Sequence, residues 1–123
     1  MTEWISRSSL KTNTGGEMDI ADEVLGIFQE QVDTWGRMLD IEETAARWAD
    51  AAHTIKGAAL GIGALPLAEA CAIAETKGRE TPPPSRTNAA LLLNDIRDAL
   101  FPTLEEVSRI RYEISTLGYF RAS

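Results

Sequence analysis

A chain of 123 residues with 12 Lys and Arg against 19 Asp and Glu carries a net charge of −7. Its hydrophobic content of 44% and charged content of 25% are ordinary for a globular protein, so one domain with a single core is expected, without metals or disulfides. The acidic balance and scattered basic residues argue against nucleic acid or an anionic membrane as partner, and a lone cysteine, Cys71, leaves no internal disulfide.

No run approaches the ~20 apolar residues of a membrane helix, and the amino terminus lacks the charged-then-apolar profile of a signal peptide. A reducing cytoplasm is the expected setting. Residues 1–17 read as a lead-in in which Trp4, Ile5 and Leu10 form a short helix docked on the body, broken at Asn13-Thr14-Gly15-Gly16. The bundle proper is expected over 18–123.

Over residues 19–37 the apolar positions Ile20, Val24, Ile27, Phe28, Val32 and Trp35 recur mostly at spacings of three and four, which predicts a helix with one buried face. Asp40 with Glu43 resembles a capping box that opens the next helix. That helix carries Ile41, Ala45, Trp48, Ala52, Ile55, Ala59 and Ile62 at spacings of 4, 3, 4, 3, 4 and 3, a regular core seam that ends near Gly61 and Gly63. A third helix is predicted over 66–77, with Pro66 in its first turn, Gly78 as its stop and Leu67, Ala70, Cys71 and Ala74 inward. Thr81-Pro82-Pro83-Pro84 reads as a stiff connector. Ser85 then opens a long periodic segment through Leu93, Ile96, Leu100, Leu104, Val107, Ile110, Ile114 and Leu117, kinked at Pro102 or divided there into two helices. With no strand-like alternation, the expected fold is all-α, an antiparallel four-helix bundle with a short extra N-terminal helix.

The only histidine, His53, lies on the second of these helices. At about 100° per residue it points about 140° away from the core seam. Ala49, Lys56, Gly57, Leu60 and Ala64 fall within about 60° of it on the same count. This strip is mostly small or apolar, the kind of surface on which another protein docks. Lys56, one turn on, places its ammonium where it reaches an anion on the ring. Gly57 costs a mid-helix position up to ~1 kcal/mol relative to alanine, and its bare backbone lets a partner come close to the imidazole.

Residues 53–75 resemble the histidine-containing phosphotransfer (HPt) domains of bacterial multistep phosphorelays. The matching positions are His53, Lys56, Gly57, Ala58, Gly63, Ala64, Leu67, Cys71 and Glu75. Gly61 and Ala74 depart from the family's usual polar residue and leucine, and the segment between Phe28 and Asp40 is shorter than usual. The resemblance implies that His53 accepts a phosphoryl group from a receiver domain's aspartyl phosphate and passes it on, in either direction. Lys56 would offset its charge. The implied partners are receiver domains or a hybrid histidine kinase, and the receiver would bring the magnesium, so the chain needs no cofactor of its own. The expected role is a monomeric phosphocarrier rather than an enzyme, since there is no nucleotide-binding glycine loop, no kinase ATP-lid motif and no acidic cluster around His53. Glu69 and Glu75 read as bundle-surface or helix-to-helix hydrogen-bonding residues.

Two chemical rivals are weaker. A Cys71–His53 nucleophilic pair conflicts with Cys71's place on a buried seam, and a metal site would have one histidine, one cysteine and otherwise only carboxylates. The remaining alternative is a helical adaptor that binds a signalling partner through the His53 surface without being phosphorylated.

Overall fold

The computed structural model describes residues 2–122; Met1 and Ser123, the outermost positions of the two expected segments, lie outside them. Five α-helices follow one another: α1 (Arg7–Asn13), α2 (Met18–Trp35), α3 (Ala45–Gly61), α4 (Leu65–Gly78) and α5 (Arg86–Leu117), with a 3-10 turn at Gly36–Met38. Helices α2 to α5 close a ring in which α3 packs on α2 and α4, and α5 packs on α4 and α2. Short connections make the neighbours antiparallel. The fold is the all-α bundle expected, with α1 laid across one end.

That short helix belongs to the core. Leu10 is fully buried, as is Ile5, which with Trp4 precedes the helix rather than forming part of it, and Arg7 pairs with Glu106 and Glu113 on α5. The Ser6 amide donates to the Gly63 carbonyl at 2.8 Å, stitching α1 to the α3–α4 turn. Gly63 sits there at φ +76°, and a Cβ on it would stand 2.8 Å from the Ser6 carbonyl oxygen, so the turn requires glycine both for conformation and for space.

Helix α2 departs in part from the expected face. Ala21, Leu25, Phe28 and Val32 are buried, while Ile20 and Ile27 are about half exposed. Phe28 and Val32 are inward as expected and Val24 and Trp35 pack on the core, so the departure is at Ile20 and Ile27, whose places Ala21 and Leu25 take. On one flank Asp22 and Gln29 are held by Arg111 of α5. Ile20 and Ile27 therefore fall on the other flank of the buried stripe, the flank toward α3.

The start of α3 also differs. Its cap is Thr44, whose hydroxyl accepts from the Arg47 amide, and Asp40 instead closes a local turn by accepting from the Glu42 amide at 2.9 Å. Ile41 lies outside the helix, half-buried against the core. The predicted seam is otherwise the buried one, with Trp48, Ala52, Ile55, Ala59 and Ile62 all inward.

Gly78 is the last helical residue of α4 rather than a stop beyond it. Its bareness serves packing, because a Cβ there would lie 2.6 Å from Cζ3 of Trp48 and 3.0 Å from the Cβ of Ala49. Helix α5 runs unbroken through Pro102, from its Ser85 cap to left-handed Gly118, so the two-helix alternative does not hold. Leu117, expected inward, is about half exposed at its end.

Candidate functional site

Helix α3 is packed on both flanks, by α2 and by α4, which leaves an outward ridge narrower than a one-sided amphipathic helix would have. His53, Gly57 and Leu60 stand on that ridge, spaced four and three apart. Ala49 and Ala64, expected on the same exposed strip, are instead fully buried. Ala49 faces Gly78 at the end of α4, and Ala64 lies in the α3–α4 turn, its amide donating to the Ala59 carbonyl. The rotation count failed at Ala49 because α4 packs on that flank of α3, and at Ala64 because the helix has already ended at Gly61.

The His53 side chain is 61% exposed, yet its inner nitrogen is engaged. Nδ1 lies 2.8 Å from Oε2 of Glu75, which projects from α4 and is itself only 13% exposed. A carboxylate accepts only, so Nδ1 carries a proton, and in the neutral ring the lone pair is then on Nε2. Nε2 enters no hydrogen bond or ion pair among the described residues.

Lys56 reaches the same carboxylate from the other side, with Nζ 2.7 Å from Oε1 of Glu75. Arg79, one turn beyond Glu75, approaches Oε2 at 3.3 Å and bridges to Asp50 on α3 at 2.9 Å. Two carboxylates take part in this network, Glu75 and, through Arg79, Asp50, and each is paired with a cation. Glu75 proves to be a helix-to-helix hydrogen-bonding residue; Glu69 is exposed on another face of α4. Sequence reasoning missed Arg79 and Asp50, whose only signals were spacings of four from Glu75 and three from His53.

Lys56's hydrogen bond, with help from His53 and Arg79 and against the opposing effect of burial, holds the Glu75 carboxyl below its ordinary value of 4.5. A carboxyl depressed in the folded state contributes stability in full above 4.5 and loses it as pH falls through the lower folded value. Glu75→Gln is therefore expected to be less stable than wild type near neutrality. In urea denaturation across pH the gap should narrow in acid; a gap that widened in acid would contradict the pairing.

Gly57 has nothing within 4 Å of where a Cβ would be, so no packing contact demands glycine. Cys71 is fully buried, and burial pushes its thiol up to about 12, which removes the thiolate that a Cys–His mechanism needs. Among the described residues no helix is long and apolar enough to cross a membrane.

The site is thus an exposed histidine on an antiparallel helical bundle, with one ring nitrogen tied to the neighbouring helix. The Hpt domain family matches residues 19–110, and the chain belongs to it. Members of this family are phosphocarriers of phosphorelays rather than enzymes. The chain is similar to the crystal structure of the histidine phosphotransferase ShpA from Caulobacter crescentus, with 30% identity and a TM-score of 0.75, over 94% of this chain and 98% of that one. No protein of curated function matches it.

Proposed function

We propose that His53 is the phosphoacceptor of a relay between receiver-domain aspartates, in exchange with response regulators or a hybrid histidine kinase. The observation that carries this reading is an exposed ring whose Nδ1 is held at 2.8 Å by Glu75 while Nε2 has no partner among the described residues. In the forward step the Nε2 lone pair attacks phosphorus in line. The N–P bond forms as the bond to the aspartyl oxygen breaks, and the carboxylate leaves. The ring, with a proton on Nδ1 and phosphorus on Nε2, becomes cationic, and the Glu75 carboxylate faces that new charge. Phosphoryl transfer passes through a loose transition state that needs positioning and charge neutralisation more than covalent help. Magnesium and its carboxylate ligands belong to the receiver.

Lys56 has a double part in this scheme, holding Glu75 and lying one turn from the phosphoryl group. Partly exposed ion pairs contribute about 0–1 kcal/mol, so Lys56→Ala should slow transfer by up to about fivefold without abolishing it, as read from single-turnover transfer rates.

The receiver would sit over Gly57 and Leu60 and reach the exposed Ile20 and Ile27 on the adjoining flank of α2. Gly57→Ala separates access from folding. The variant should gain up to ~1 kcal/mol in denaturation experiments, because alanine favours the helix and meets nothing. Transfer from a phosphorylated receiver should fall roughly tenfold, the scale of a methyl clash in a packed interface, while labelling by the small donor acetyl phosphate stays unchanged.

The test of the whole reading is incubation with a phosphorylated receiver domain, followed by analysis of the label. A phosphocarrier takes up a label stable to base and lost in acid, and returns it to a second receiver. An adaptor that uses the same face without chemistry takes up none.

A further inference from the structure

On the side of α4 turned away from Glu75, a groove runs between α4 and α5. Two adjoining hollows of about 320 and 340 Å³ form it, and both are lined by Leu92 and Asp95. Trp4 closes one end over Ala70 and Ala99, and Pro82 and Pro84 of the connector close the other. Two large apolar side chains stand at its walls about half exposed, Ile73 at 49% and Leu91 at 58%. From Asn88 to Ala99 the groove follows three turns of α5, roughly 16 Å at about 1.5 Å per residue.

The charge along it is one-sided. Glu69, Asp95 and Asp98 line the groove, and none of them enters any ion pair among the described residues. The one cation in the lining, Lys77, is already paired with Glu80 at 3.4 Å. Unpaired carboxylates occur on other faces too, as at Asp19, Glu23, Glu30 and Asp33 of α2, but here they rim an apolar groove. An apolar floor three turns long with unanswered carboxylates along its rim fits an amphipathic helix with apolar anchors one and two turns apart and Lys or Arg beside them. A second copy of this chain, with net charge −7, is a poor occupant.

We propose that the α4–α5 groove docks a basic amphipathic helix of a partner protein, at a site separate from the His53 face. Ile73 lies two residues from Glu75, on the opposite side of α4, so the groove can be filled while His53 is engaged. Such a site tethers the domain without entering the transfer step, and it stands or falls independently of the phosphoacceptor assignment.

The probe is a 14-residue synthetic helix with leucines at i, i+4 and i+7 and lysine or arginine on both flanks, compared with the same peptide carrying glutamate at every basic position. Both are titrated into the full chain and followed by amide and indole chemical shifts. The basic peptide should shift the Trp4 indole and the facing stripes of α4 and α5, leave His53 unmoved, and bind at least about tenfold more tightly than the acidic one. Ile73→Ser with Leu91→Ser should weaken it about tenfold with little effect on folding, since both side chains are exposed. Asp95→Asn with Asp98→Asn should weaken it about fivefold and flatten its salt dependence, while Glu105→Gln leaves it unchanged. Equal binding of the two peptides, shifts spread over every acidic face, or a wild-type affinity in the Ile73/Leu91 variant would overturn the proposal. So would self-association of the chain that the peptide displaces, because the occupant would then be a second copy.

Discussion

His53→Gln protein mixed with a phosphorylated receiver domain should take up no acid-labile label, against near-complete labelling of the wild type. Glutamine keeps a polar side chain able to donate to Glu75, but its amide nitrogen has no available lone pair and cannot attack phosphorus. The ring is 61% exposed and its loss opens no cavity, so the denaturation midpoint should move little. Loss of label with an intact fold assigns the chemistry to this one side chain. Residual labelling of the variant at the wild-type level would remove His53 from the mechanism.

Trp48→Ala should cost about 3–5 kcal/mol of folding stability, the range for truncating a large aromatic in a core. Trp48 is 2% exposed, and the edge of its indole lies against Gly78 where α3 meets the end of α4. Removing it leaves a void beside Gly78, which has no side chain to fill it. Against a total stability of about 5–15 kcal/mol for a domain of this size, that loss is large. The same helix pair holds the His53–Glu75 contact, so the variant should also label more slowly near its unfolding transition. A denaturant-derived loss under about 1 kcal/mol would show that the α3–α4 packing described here is not what holds the bundle.

The seam of α3 was legible because Trp48, Ala52, Ile55 and Ala59 alternate by four and three around residues large enough to mark the core. Helix α2 was legible with most of its inward face, through Phe28, Val32, Val24 and Trp35, but not at Ile20 and Ile27. Ile20 and Ile27 are more hydrophobic than Ala21, and hydrophobicity alone does not say which of two adjacent stripes is buried. At the start of α3, Asp40 and Thr44 both offer an oxygen to an amide a few residues on, and the choice fell to Thr44, directly ahead of the helix-forming Ala45-Ala46. The local half of the site, His53 with Lys56 and Gly57, was visible in sequence because it repeats within one helix turn. The other half comes from α4, where Glu75 meets His53 across 22 residues of chain. Only the register of the α3–α4 hairpin, set by Gly63 and Gly78, brings them together. That register also buried Ala49 and Ala64, which a single-helix projection placed outside.

The most direct measurement is the position of the phosphoryl group on the ring. In long-range ¹H–¹⁵N spectra of the phosphorylated chain, phosphorus should be bonded to Nε2 of His53, with Nδ1 still protonated toward Glu75. A phosphoryl group on Nδ1, or on any other residue, would contradict the account.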